Sequence, residues 1–243
     1  MNDHVRLLAV SLLLAGALTG CDVGLAAHEP GGTSVRTQVA PSRGAFHENQ
    51  PYRLQNSFRG LRLAARAGTW IDIDSNYCWD TARRHRIPLA THWPHIGADH
   101  FTDPAGRIDP DAAFADLTLP EVRRLRSTDP VPYRISTMEE MVREAARIGV
   151  PGIEWEVKGG TAFERPATYR GVLAAAAEAG IEVNVKTLTN IGGTKAALRR
   201  LRAAARAGAT TMLLNHSARP VRITAAESRY VDYVRGPWRA GQP

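Results

Sequence analysis

The sequence predicts an α/β fold built from repeated helix–strand units, a (β/α) barrel that is shortened or irregular at its C-terminal end. Two observations carry this. Four helix-like runs close in nearly the same way: Ala-Ala-Arg-Ala-Gly before Thr69, Ala-Ala-Arg-Ile-Gly before Val150, Ala-Ala-Glu-Ala-Gly before Ile181 and Ala-Ala-Arg-Ala-Gly before Ala209. Glycine readily caps a helix ahead of a strand, so the four joins mark four repeated units. The strands behind them then alternate apolar and polar residues, and polar groups late in such strands are where a (β/α) barrel builds its site.

The alternation is plainest in Trp70-Ile71-Asp72-Ile73-Asp74. Successive side chains of a strand point to opposite faces, which pairs Ile71 with Ile73 and Asp72 with Asp74. Two adjacent carboxylates repel unless water solvates them or a positive group sits between them. A solvated acidic face and a bound divalent cation both satisfy that requirement, and hard cations favour carboxylate oxygens. Glu154-Trp155-Glu156-Val157-Lys158 repeats the pattern, and Glu182-Val183-Asn184-Val185-Lys186 places Asn184 and Lys186 together.

The chain of 243 residues suits one sizeable domain plus an N-terminal appendage. Its 44% hydrophobic content is enough for a buried core. The formal charge is +7, and residues 1–20 hold only Asp3 and Arg6 as formally charged side chains, so the excess belongs to the remainder. Such a field favours solubility, phosphate esters or an anionic membrane. With no zinc knuckle, helix-turn-helix or aromatic-interleaved basic stripe, a nucleic-acid partner is not expected.

At the N-terminus, His4 and Arg6 precede an apolar run from Leu7 to Leu18, short for a bilayer span but suited to a signal peptide. The run ends Leu18-Thr19-Gly20-Cys21, which resembles a bacterial lipobox. The expected organisation is a lipoprotein signal peptide over 1–20, a flexible Gly/Ala/Pro/Ser/Thr-rich tether over 21–37 and the barrel domain over 38–243. Lipid on Cys21 would hold the protein on the outer face of a bacterial membrane. Cys78 is then left without an intrachain partner, and no disulfide framework is expected.

Along the domain, Thr37–Ala40 reads as a first strand, followed by a polar loop over 41–56. Helices are expected at Phe58–Ala67, capped by Ser57, at Met138–Gly149 from the spacing of Met138, Met141, Val142, Ala145 and Ile148, at Thr168–Ala179, and around Leu198, Leu201 and Ala205. Further strands are expected at Ile87–Ala90, ending in Thr91-His92, and at Thr210–Asn215. Short final elements are expected at Arg222–Thr224 and Tyr230–Val234. The segment Trp93–Asp116 reads as a long functional loop.

Taken in order, Ser42-Arg43-Gly44, Gln55-Asn56-Ser57, Asp72-Ile73-Asp74, His92-Trp93 and Glu156-Val157-Lys158 resemble the motifs of the glycerophosphodiester phosphodiesterase family, a TIM-barrel family. The connectors Asp116–Glu121 and Ser136–Glu140 fit the same order. The likeness is good over roughly residues 40–160 and loose beyond. It implies that Asp72, Asp74 and Glu156 hold Mg²⁺ or Ca²⁺, that Arg43 and Lys158 neutralise phosphate oxygens, and that His92 is one of an acid/base pair. His95 and His100 receive no role. Three positions depart from the family pattern: Ser42 stands where a catalytic His is expected, Trp93 replaces an acid, and Asp72 replaces a Glu. His47, with Glu48 beside it, is the candidate substitute base.

The implied activity is metal-dependent hydrolysis of glycerophosphodiesters or related phospholipid-derived diesters at the cell surface. Two alternatives share the fold: a catalytically impaired relative that binds phosphate esters or envelope polymers, and a phospholipase D-type enzyme. A small diester and, through the anchor, the membrane are the expected partners.

Overall fold

A computed structural model describes residues 56–66, 68–97, 99–215 and 233–235. The expected signal peptide, the tether, the first strand, the lipidation residue Cys21 and the candidate site residues Ser42, Arg43 and His47 lie outside the described residues, as does Arg222–Thr224. In order come α1 (Phe58–Ala65), β1 (Ile71–Trp79), β2 (Arg86–Ala90), β3 (Phe101–Thr102), α2 (Leu119–Val122), β4 (Arg126–Ser127), α3 (Met138–Arg147), β5 (Gly152–Val157), α4 (Ala167–Ala179), β6 (Glu182–Leu188), α5 (Gly193–Arg206), β7 (Met212–Asn215) and β8 (Tyr233–Arg235).

Six strands form one sheet in the order β2-β1-β5-β6-β7-β8, and β1, β5, β6, β7 and β8 run parallel. Among the described residues this sheet is open, ending on β2 and β8; its parallel strands and intervening helices are the α/β pattern expected from the sequence, and these residues form no closed barrel. β2 departs from the parallel array because the link 80–85 from β1 is short. A parallel crossover needs a dozen or more residues, and so short a link can only turn back. Asp80 N–H bonds to the carbonyl of His85 at 2.8 Å, and β2 returns antiparallel along β1. Pro88, which cannot donate to a ladder, is tolerated there because β2 is an edge strand.

The helix–strand joins behave as read. Gly68, Gly149, Gly180 and Gly208 all have positive φ, from 64° to 103°, the left-handed conformation that ends a helix at low cost in glycine. At the other end of α3, the Thr137 hydroxyl accepts from the Glu140 N–H while the Glu140 carboxylate accepts from the Thr137 N–H, a reciprocal cap. Its apolar stripe of Met138, Met141, Val142 and Ala145 is wholly buried. These residues pack with Ile71, Ile73, Ile153, Trp155, Val157, Val183 and Val185 into the main core between sheet and helices. The Trp155 ring lies 5.2 Å from that of Tyr169 and 6.2 Å from that of Phe163.

The segment Trp93–Asp116 is more ordered than a loop. It contains β3, which pairs with β4, and a 3₁₀ turn at Phe114–Asp116. Ile96, Phe101 and Phe114 join Cys78, Leu89, Val122, Leu125 and Ile135 in a second core. This packing anchors the end of β2, and so the position of His92.

Candidate active site

With the β1, β5 and β6 apolar residues committed to the main core, the alternate residues must share the opposite face. The parallel register aligns them in rows: Asp72 opposite Glu154, and Glu154 opposite Asn184; then Asp74 opposite Glu156, and Glu156 opposite Lys186. All six are buried, each 5% exposed or less. A solvated acidic face, one of the two readings open from the sequence, is therefore excluded. Alternation within each strand reveals the carboxylates, while the neighbouring of β1 and β5 makes them converge.

Asp72, Asp74 and Glu156 each bring a carboxylate oxygen within 4.8 Å of the others. Two lysines bind this cluster. Lys158 Nζ lies 2.7 Å from Asp74 Oδ1 and also contacts Glu156 Oε1. Lys186 Nζ lies 2.7 Å from Glu156 Oε2 and 3.8 Å from Glu154 Oε2, and contacts Asp72 Oδ2. Burial pushes the Asp72 carboxyl up to about 7; Lys186 opposes this, and Asp74, Glu156 and Glu154 reinforce it. Asp74 moves the other way. Burial disfavours its charge, yet the His92 hydrogen bond and the Lys158 ammonium hold it well below the usual carboxylate range. Lys186 is likewise buried against its charge, but Asp72, Glu156 and Glu154 outweigh that and raise its affinity for a proton.

These residues fit a divalent cation. Asp72 Oδ1 is buried with no hydrogen-bond partner, an acceptor left for a ligand. The donors are hard carboxylate oxygens, as Mg²⁺ and Ca²⁺ prefer. Four carboxylates face two ammonium groups, so acidic groups outnumber basic ones around the triad.

His92 follows β2, and its Nδ1 lies 2.9 Å from Asp74 Oδ2. Two asparagines hold this pair in place. Asn76 Nδ2 donates to the carbonyls of Thr91 (3.0 Å), His92 (3.3 Å) and Trp93 (3.0 Å), fastening the chain beyond β2 to β1. Asn56, with a left-handed φ of 56°, accepts the Asp74 N–H at 2.9 Å through its side-chain oxygen. Sequence reading passed over Asn76 because an asparagine two positions beyond Asp74 gives no local sign of reaching another strand end.

A cleft of 820 Å³ opens over the triad, lined by Asp72, Asp74, Glu156, Lys158, Lys186 and His92, with Trp93 and Tyr77 on its wall. A second cavity of 300 Å³ shares His92 and Trp93 with it. Trp93, standing where the resemblance expects an acid, stacks on His100 with ring centroids 4.5 Å apart and planes 3° from parallel. His92 meets the same indole edge-on at 4.6 Å. Thus His100, given no role from the sequence, braces a residue beside the site. His95 pairs with Ala113 in an isolated antiparallel bridge.

Glycines 159 and 160 continue from Lys158 along the cleft. A Cβ on Gly160 would sit 2.2 Å from the Tyr77 hydroxyl, so the backbone approaches that ring closely only because the side chain is absent.

Searches of protein-family models and of curated proteins find no match to the chain. Among solved structures, it is similar to a glycerophosphodiester phosphodiesterase from Parabacteroides distasonis ATCC 8503, at 13% identity and a TM-score of 0.46, over 80% of this chain and 90% of that one.

Proposed function

We propose that the protein hydrolyses small phosphodiesters of the glycerophosphodiester class with the help of a divalent cation. The observation that carries this reading is the convergence of buried Asp72, Asp74 and Glu156 beneath a cleft, with the His92 imidazole bonded to one of them. The order of the sequence motifs around these residues supports the same substrate class.

Asp72, Asp74 and Glu156 would hold Mg²⁺ or Ca²⁺, which when bound supplies Lewis-acid polarisation of the phosphoryl oxygens. The remaining work belongs to the chain itself. Lys158 is 14% exposed in its side chain and reaches the cleft, so its ammonium can turn from the carboxylates toward a phosphate oxygen. Nδ1 of His92 donates to Asp74, which fixes the tautomer and leaves the Nε2 lone pair to accept a proton. A proton from the attacking water would move to Nε2 as the new P–O bond forms. The protonated Nε2, or a water in contact with it, would then give that proton to the leaving alkoxide as the old P–O bond breaks, which returns His92 to its starting form. Trp93 and Tyr77 provide apolar wall for the alcohol.

The lipobox-like Cys21 and the tether behind it support placing this activity on the outer face of a membrane. A relative that binds phosphate esters without turning them over is favoured by one observation, Ser42 at the position of a family histidine.

The purified protein is tested for release of glycerol phosphate from glycerophosphocholine with Mg²⁺, with Ca²⁺ and with chelator. Turnover that disappears with chelator and returns with the ion is the expected result. Tight diester binding without turnover would transfer the assignment to the binding relative.

A further inference from the structure

The lysines on the triad are not equivalent. Both oxygens of Glu156 are occupied, Oε1 by Lys158 and Oε2 by Lys186, and both oxygens of Asp74 are occupied, by Lys158 and His92. Asp72 Oδ1 is the triad oxygen left without a partner among the described residues. A cation that engages all three carboxylates must therefore share an oxygen with an ammonium or displace it. Lys158, at the rim, can swing into the cleft. Lys186 is 2% exposed in its side chain and lies among Asp72, Glu154 and Glu156, so leaving would strand a buried charge.

We infer that Lys186 is a fixed internal cation of the centre, which stays on Asp72 Oδ2 and Glu156 Oε2 and lowers the affinity of the triad for a divalent ion. This rests on the divalent-ion reading of the site and deepens it. An ammonium held between two ligands repels any ion drawn to their other oxygens, and at such range in a buried site the repulsion is strong. Lys186 thereby keeps the affinity of the centre for a divalent ion low.

Calorimetric titration of the full chain with CaCl₂ and with MgCl₂ tests this, comparing wild type with Lys186→Met, Lys186→Gln and the charge-conserving Lys186→Arg. Loss of the charge should tighten Ca²⁺ binding by at least about 10-fold in both neutral variants, while Lys186→Arg stays near wild type. The same variants should show a larger Ca²⁺-dependent rise in melting temperature than wild type. If a neutral variant folds only when Ca²⁺ is supplied, and not in NaCl of equal ionic strength, that also supports the inference. Wild type that binds Ca²⁺ while the neutral variants bind it no tighter would overturn the role of Lys186 and leave the metal site standing. Neutral variants that stay unfolded even with Ca²⁺ would overturn it too. No binding by any of the four proteins would remove the metal site itself.

Discussion

The Nδ1 of His92 lies 2.9 Å from Asp74 Oδ2, so the imidazole proposed to move protons is bonded to a member of the acidic triad. One carboxylate therefore serves both groups. It orients the ring while contributing to the triad's charge. Replacing His92 with Ala should lower hydrolysis by about 10²–10⁴-fold, the usual contribution of one general acid–base group. Some stability is lost with the bond to buried Asp74, which keeps Lys158 as its other partner, so the chain should still fold. Equal turnover by the variant and wild type in a steady-state assay would remove His92 from the mechanism.

Asn76 makes a separate prediction. Its amide ties together the three carbonyls of Thr91, His92 and Trp93 and touches none of the triad carboxylates. Asn76→Ala should lower kcat through misplacement of His92, and should cost about 1–3 kcal/mol of stability from buried carbonyls left unsatisfied. Asn76→Asp, which keeps the shape but loses the donors, should not rescue it. Wild-type kcat and melting temperature in Asn76→Ala would show that this anchoring is dispensable.

Cys78 is wholly buried in the second core, and burial pushes its thiol up to about 12. The thiolate is the reactive form, so iodoacetamide at pH 8 should leave Cys78 unmodified in the folded protein and alkylate it in urea. The folded state holds this proton more tightly than the unfolded chain. Its contribution to stability is therefore complete below about pH 9 and is lost as the pH rises toward about 12. Urea melts across that range, compared with Cys78→Ala, should show a steeper decline for wild type.

Much of the site was legible because strands have a period of two. Asp72, Asp74, Glu156, Lys158 and Lys186 each stand out by alternation within their own pentapeptides. Their assembly was not legible. β1 neighbours β5 across some eighty intervening positions, and nothing local states that Glu156 will lie opposite Asp74 or that Lys186 will reach Asp72. The burial of the acidic face follows from that assembly, which is why solvation remained an open reading. The antiparallel return of β2 was implicit in the short link 80–85, while the apolar residues spaced irregularly through Trp93–Asp116 concealed a second core.

The reading of Cys21 as a lipid-bearing residue is tested in cells. Cys21→Ser should move the protein from the membrane fraction to the medium, followed by immunoblot of both. Wild type already free in the medium would contradict the anchor.

The most direct test of the central claim is a crystal structure of the wild-type protein soaked with Ca²⁺. The account predicts an ion bound by oxygens of Asp72, Asp74 and Glu156 at about 2.3–2.6 Å, absent from crystals of Asp74→Asn soaked in the same way. A clean triad in saturating Ca²⁺, with Lys158 still bridging Asp74 and Glu156, would contradict it.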